Sequence, residues 1–236
     1  MPAPPALRIA GLTRRYQAVQ PLRIRDLTVA PGERVALSGL DAGAAEALVN
    51  LVTGASLPDE GEVVVLGQAT SAITAGDDWL ASLDRFGIVT PRAVLLEGST
   101  LLQNVALPLS LEIEPMPASL SAEASSLARE AGIDERWFGE PVGRTPEAVR
   151  ARVHLARAVA LSPALLLLEH PTAAVPEADR AAFAEDAARV LERRGLTTVI
   201  VSEDVAFTLR VAHRRLALQR GTGVLVPQRE RKGWFR

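Results

Sequence analysis

The spacing of apolar and polar positions changes several times along this chain, and each change marks an element. Leu7 and Ile9, then Leu22 and Ile24, then Leu27 and Val29 recur at every second residue and read as short half-buried strands. Pro31-Gly32-Glu33 is a turn, and Arg34-Val35-Ala36-Leu37 a further strand. The period then lengthens, with Leu48, Leu51 and Val52 sharing one helical face. Gly54 and Pro58-Asp59-Glu60-Gly61 bracket a loop before a strand over Glu62–Leu66. Gly87-Ile88-Val89 is a short strand that Pro91 ends. From about Leu101 to Leu161 the pattern is mostly helical. One alanine-rich helix covers Ser119–Ala131, and a second covers Val149–Ala160 with Val153, Ala156 and Val159 along one stripe. Ala164-Leu165-Leu166-Leu167-Leu168 has no polar phase, as in a strand covered on both faces. Ala178–Arg194 is an amphipathic helix, Thr198–Val201 a second buried strand, and Arg215–Val226 a hairpin around Gly221-Thr222-Gly223.

Strands alternating with helices predict an α/β fold with a mainly parallel sheet. The alternating strands near both ends predict an antiparallel layer beside it. Neither internal repeats nor a low-complexity linker divide the 236 residues. The composition is globular, 48% hydrophobic and 23% charged, and a net charge of −2 gives no electrostatic case for nucleic acid. With no cysteine, disulfides and thiolate metal sites are excluded. His154, His170 and His213 are scattered without metal-ligand spacing. The start, Met1-Pro2-Ala3-Pro4-Pro5, lacks an apolar signal core, and no apolar run approaches membrane-spanning length, so the expected location is the cytoplasm.

The candidate chemistry lies at Ser38–Leu48, between a buried strand and a helix, where a phosphate-binding loop of the form G-x-x-x-x-G-K-[ST] falls in nucleotide-binding α/β domains. Gly39 and Gly43 fit such a turn, while Ala42 and Ala44 stand where glycines are usual. The lysine position holds Ala45 and the magnesium-hydroxyl position Glu46. The chain's one lysine, Lys232, is remote in sequence. Glu46 is read either as a mimic of a bound phosphate or as a solvated first-turn glutamate that favours the helix start.

The ordered landmarks resemble the ATP-binding cassette of ABC transporters over essentially the whole chain. "GLTRRYQAV" is similar to the aromatic adenine-stacking segment, and "PGERVALSGLDAGAAEALVNLVTGASLPDEGEVVVLG" to the phosphate-loop region. "LLQNVALPL" resembles the start of the helical subdomain. "RARVHLARAVALSPALLLLEHPTAAVP" resembles the signature helix running into the magnesium strand, and "TVIVSEDVAFTLRVAHRRLALQRGTGVLV" the switch strand and final hairpin. The resemblance implies one cassette over 1–236, with a P-loop NTPase-like core at 1–100 and 162–236 and a helical subdomain at about 101–161. It implies Tyr16 as the adenine-stacking residue, otherwise a plain surface aromatic. The glutamine that senses magnesium and the permease aligns with Pro91. The signature motif aligns with Thr145-Pro146-Glu147-Ala148-Val149, which reads as a helix start with Thr145 as N-cap and Pro146 first in the helix. The magnesium-strand pair is Glu169-His170, and the switch histidine aligns with Glu203. Glu169 is a metal ligand or an ion-pair residue; His170 is a base or an ordinary strand-end histidine.

These substitutions set the functional expectation. One lost charge-assisted contact is worth ~1.5–3 kcal/mol. A carboxylate ~4 Å from a phosphate charge costs roughly 4 kcal/mol at intermediate dielectric. Three such positions together exceed the ~8 kcal/mol of a micromolar affinity. The leading expectation is therefore a cassette without ATPase activity and without a cofactor, partnering an integral membrane permease and a second cassette subunit, homo- or heterodimeric, on the inner face of the membrane. A second is an ATPase with a rearranged site, taking ATP and magnesium through Glu169 and Tyr16, with Arg92 supplying the lysine's charge. A third is a cytosolic scaffold that keeps the fold without a permease. The tail Arg229–Arg236, basic with two aromatics, reads as a membrane or partner contact or as a frayed end.

Overall fold

A computed structural model describes residues 4–73 and 75–228, so the tail reading at 229–236 lies outside the described residues. The chain runs β1 (Leu7–Arg14), β2 (Leu22–Val29), β3 (Arg34–Ser38), α1 (Ala42–Val52), β4 (Glu60–Val65), β5 (Gln68–Ala69), α2 (Gly76–Leu83) and β6 (Phe86–Val89). It continues through α3 (Leu101–Ala106), α4 (Ala118–Glu130), α5 (Glu147–Val159), β7 (Leu165–Glu169), α6 (Glu177–Arg194), β8 (Thr198–Val201), α7 (Val205–Val211), β9 (Arg214–Gln219) and β10 (Val224–Pro227). The sheet of six has the order β10-β9-β3-β8-β7-β6, parallel except at the β10–β9 hairpin, and the sheet of four is antiparallel in the order β2-β1-β4-β5. The expected α/β architecture with an antiparallel layer is thus observed.

The leucine run explains how the larger sheet is covered. Leu165 and Leu167 pack with Val35, Leu37, Val199 and Val201 towards α1 and the antiparallel layer. Leu166 and Leu168 pack with Ala36 and Ile200 towards α5, α6 and α7. Period-2 geometry sends alternate side chains to opposite faces, and each buried leucine contributes ~1.5–3 kcal/mol. Between β6 and β7 the chain forms α3, α4 and α5, which pack on one another and join the second core.

Several local expectations change. The two segments expected at 22–24 and 27–29 are one strand, β2. Arg25 and Asp26 are both exposed, opposite a kink in β1 at Gly11 with φ +61°, so the inward phase slips without ending the strand. Between 101 and 161, helix is broken by a segment of turns and bends at 107–117 and by 131–146, which holds two short 3-10 helices. Helices α2 and α7 are elements that the apolar spacing does not reveal; Trp79 of α2 is held by its indole N–H donating to the Thr53 carbonyl at 3.0 Å. Thr145 does not cap α5. Its hydroxyl donates to the Val142 carbonyl at 2.8 Å, and Pro146 takes the N-cap position.

Candidate functional site

Parallel register gathers the site at the carboxyl ends of β3, β8, β7 and β6, where ligands sit in open α/β sheets. Gly39 follows β3 with φ +83°, and a Cβ there would come within 2.8 Å of the Leu218 carbonyl oxygen. Only glycine combines that backbone with so close a neighbour. Because β8 lies beside β3, Glu203 just past β8 reaches the turn, and its carboxylate accepts the Gly39 N–H at 2.6 Å.

Asp41 is the N-cap of α1, in extended conformation, and its Oδ1 accepts the Ala44 N–H at 2.9 Å. Arg220, carried past β9 by its parallel pairing with β3, donates to Asp41 Oδ2 at 2.9 Å and to the Gly39 carbonyl at 2.6 Å. The Ala44 N–H and the Arg220 charge hold the Asp41 carboxyl below its ordinary range. The Tyr16 ring lies against the same turn: a Cβ on Gly43 would meet it at 3.0 Å. Its hydroxyl stands 3.4 Å from Asp41 Oδ1, a long contact, and burial with the Asp41 charge beside it raises the phenol pKa. Tyr16, Arg23, Asp41 and Arg220 line a pocket of about 270 Å³.

A second cluster lies deeper. Glu169 ends β7 with its side chain only 1% exposed. Arg92, three residues after β6, grips it with a fork: Nη1 to Oε1 and Nη2 to Oε2, both at 2.7 Å. Arg92 Nε is also 3.6 Å from Oε1 of Glu46, which stands in the second turn of α1 and not in the expected first turn, because Asp41 is the N-cap and Ala42 the first helical residue. The hydrogen bonds that Arg92 donates to Glu169, with the carboxylate charges of Glu169 and Glu46, raise the Arg92 pKa further. Ala45, on the lysine position, is fully buried in the core between α1 and the β layers.

The larger cleft, about 360 Å³, opens beside this pair and is lined by Pro91, Glu147, His154, Glu169 and His170 among others. His170 has φ +43° and donates its backbone N–H to the Val201 carbonyl at 2.8 Å, shaping the turn after β7. Glu147 pairs with Arg150 on its own helix. His154 is half-buried beside Arg157 and Arg150, and burial pushes its pKa down to about 4, so it is neutral near pH 7. The structure therefore brings Tyr16, Gly39, Gly43 and Glu203 together around Asp41, and joins Glu46 to Glu169 through Arg92. Pro91, Glu147 and His170 lie on the cleft side. Among the described residues no group of three or more histidine, aspartate or glutamate side chains is arranged to hold a metal ion.

Two participants escaped the sequence. Asp41 carried a usable signal, a capping residue just before an apolar helix. Arg220 carried none, because the β3–β9 register alone brings it to the turn.

A family model described as "ABC transporter" matches residues 22–173. The chain belongs to the ABC transporter family. A macrolide export ATP-binding/permease protein of Aeromonas hydrophila is 32% identical over 96% of this cassette, which spans 35% of that relative. An aliphatic sulfonates import ATP-binding protein of Ralstonia nicotianae is 32% identical over 92% of the cassette and is covered to 70%. A methionine import ATP-binding protein of Mesorhizobium japonicum is 31% identical and covered to 58%. The chain thus spans from about a third to somewhat over two thirds of the length of these curated relatives. Among solved structures, the dimeric post-hydrolysis state of an ATP-binding cassette bound to ADP and Pi superposes with a TM-score of 0.76 at 22% identity, covering 96% of this chain and 100% of that one. A nucleotide-free cassette from an ABC transporter gives 0.71 at 20% identity, covering 94% of this chain and 90% of that one. These two likenesses show the cassette fold.

Proposed function

We propose that this chain is a cassette subunit of an ABC-type membrane transport complex that does not turn over ATP and acts as a structural or regulatory partner. The observation that carries this is the state of the phosphate turn. The Gly39 and Ala44 N–H groups, which point into the turn, are held by the carboxylates of Glu203 and Asp41. A helix start with free N–H groups favours anions, but here the chain's own anions use that field. A triphosphate on the turn has to displace Asp41 and Glu203, each hydrogen-bonded in place, and the buried Ala45 at the lysine position supplies no cation to it. Magnesium has to take Glu169 from Arg92. The residues present do not fit a magnesium triphosphate in this arrangement.

Partners follow from what the relatives are named for. They include an exporter joined to a permease and an importer's ATP-binding protein. The reading is a cassette bound to an integral membrane permease and paired with a second cassette, peripheral on the inner membrane face. Among the described residues no helix is long and apolar enough to cross a membrane. An ATPase with a rearranged site needs the Arg92 charge at the loop, whereas its guanidinium is committed to Glu169. A scaffold without a permease has no specific observation in its favour.

The test is melting and phosphate release with millimolar Mg-ATP. The expected outcome is a melting temperature unchanged within a degree or so and no turnover; a rise of several degrees sinks the proposal. The double variant Ala45→Lys/Glu46→Ser is expected to release no phosphate either, because Pro91, His170 and Glu203 remain.

A further inference from the structure

Glu169 presents an electrostatic problem that the fold has to solve. A carboxylate with a side chain 1% exposed keeps its charge in the interior only beside a compensating cation. Among the described residues its one ion-pair partner is Arg92, and the pair is bidentate at 2.7 Å on both arms. The same guanidinium faces Glu46 across 3.6 Å. One fixed cation therefore sits between two carboxylates, one from the end of β7 and one from α1. By resemblance, Glu46 and Glu169 are the two positions at which this family holds magnesium, and the loop at Pro91 is the third element that senses it. The loop carrying Arg92 is tied on its other side as well: Arg157 of α5 donates to the Val94 carbonyl at 2.9 Å.

We infer that Arg92 is a resident cation, a positioning residue that does in a metal-free way what a divalent ion would do between Glu46 and Glu169, and that it thereby excludes such an ion. A guanidinium fork matches a carboxylate edge to edge and stays charged at any working pH. It differs from a metal in one respect: it is covalently part of the 90–94 loop. The link between α1, β7 and that loop is then permanent, where a bound ion would come and go. The inference extends the reading of the site given above to its cation side. Its test contains no nucleotide, so ATP turnover by the wild type would end that reading without deciding this one.

The experiment uses the full chain with Mn2+ as probe, since bound Mn2+ is counted directly by its loss of free-ion paramagnetic signal. Wild type is expected to melt at the same temperature in EDTA and in millimolar Mn2+, with no bound ion. Arg92→Gln removes the charge but keeps a hydrogen-bonding side chain. It is expected to melt at least ~5 °C lower in EDTA, to bind Mn2+, and to recover half or more of the loss when Mn2+ is added. Should that variant not accumulate as folded protein, Arg92→Gln/Glu169→Gln leaves no charge on either member of this pair, and it is expected to fold and to ignore Mn2+. The inference is overturned if wild type binds Mn2+ as tightly as the variant. It is equally overturned if Arg92→Gln melts like wild type in EDTA, if its loss is not relieved by Mn2+, or if the doubly neutral variant fails to fold or still binds the ion.

Discussion

The starts of α1 and α5 both carry carboxylates, yet the two regions use them differently. At α1, Asp41 accepts a backbone N–H from Ala44 and is held by Arg220 from a distant hairpin, while Glu46 in the next turn faces Arg92. At α5, Glu147 pairs with Arg150 three residues on, and Pro146 supplies no side-chain cap. One set of charges is wired into strands and loops remote in sequence, and the other stays on its own helix. The helix dipole favours a carboxylate at either place by ~0.3–1 kcal/mol. What separates them is tertiary connection, so removing a charge at α1 disturbs the turn, and removing one at α5 changes little beyond a local pair.

Four variants break or sharpen that contrast. The largest effect is expected from the buried pair next to α1. Arg92→Ala leaves the buried Glu169 carboxyl group without its partner, and should lower unfolding free energy by ~3 kcal/mol in urea melts at neutral pH. Glu169→Ala should cost clearly less, because Arg92, 42% exposed, can turn to water. Equal losses from the two would mean that the buried charge is not what the pair stabilises. Asp41→Ala comes next, at ~1–2 kcal/mol for a lost N-cap. Its pH dependence has a definite sign. The folded Asp41 pKa is lowered, so its contribution is fully present above the ordinary aspartate range and is lost as pH falls through the lower, folded value. The gap between wild type and Asp41→Ala should therefore be constant from pH 7 to about 5 and should narrow in stronger acid; a gap that widens on acidification contradicts the assignment. Glu147→Ala should fall within ~0.5 kcal/mol, the usual worth of an exposed pair on one helix. A loss above ~1 kcal/mol would put Glu147 in the same class as Asp41.

Much of this molecule is legible in the chain. The leucine run 165–168 fixes a strand covered on both faces because period-2 geometry has nowhere to place a polar side. The same reasoning locates β3 and β8, and the Gly221–Gly223 hairpin follows from turn chemistry. The landmarks that carry the family resemblance are local strings, so they survive without coordinates. Helix α7, with seven residues, is too short for a helical period to stand out. Thr145 misled because its capping chemistry is real but is spent on the Val142 carbonyl.

The sequence by itself determined which side chains stand at the turn between β3 and α1, at the end of β7 and at the start of α5, since a loop bounded by a buried strand and an apolar helix has one place to go. Only the tertiary structure decided what those side chains are joined to. Arg92 meets Glu169 and Glu46 because β6 lies beside β7 and α1 packs against β7, and Arg220 meets Asp41 because β9 runs parallel to β3. Charge partners separated by 77 and 179 residues leave no periodic trace in the chain, because electrostatic attraction acts through space and is indifferent to the length of backbone between the groups.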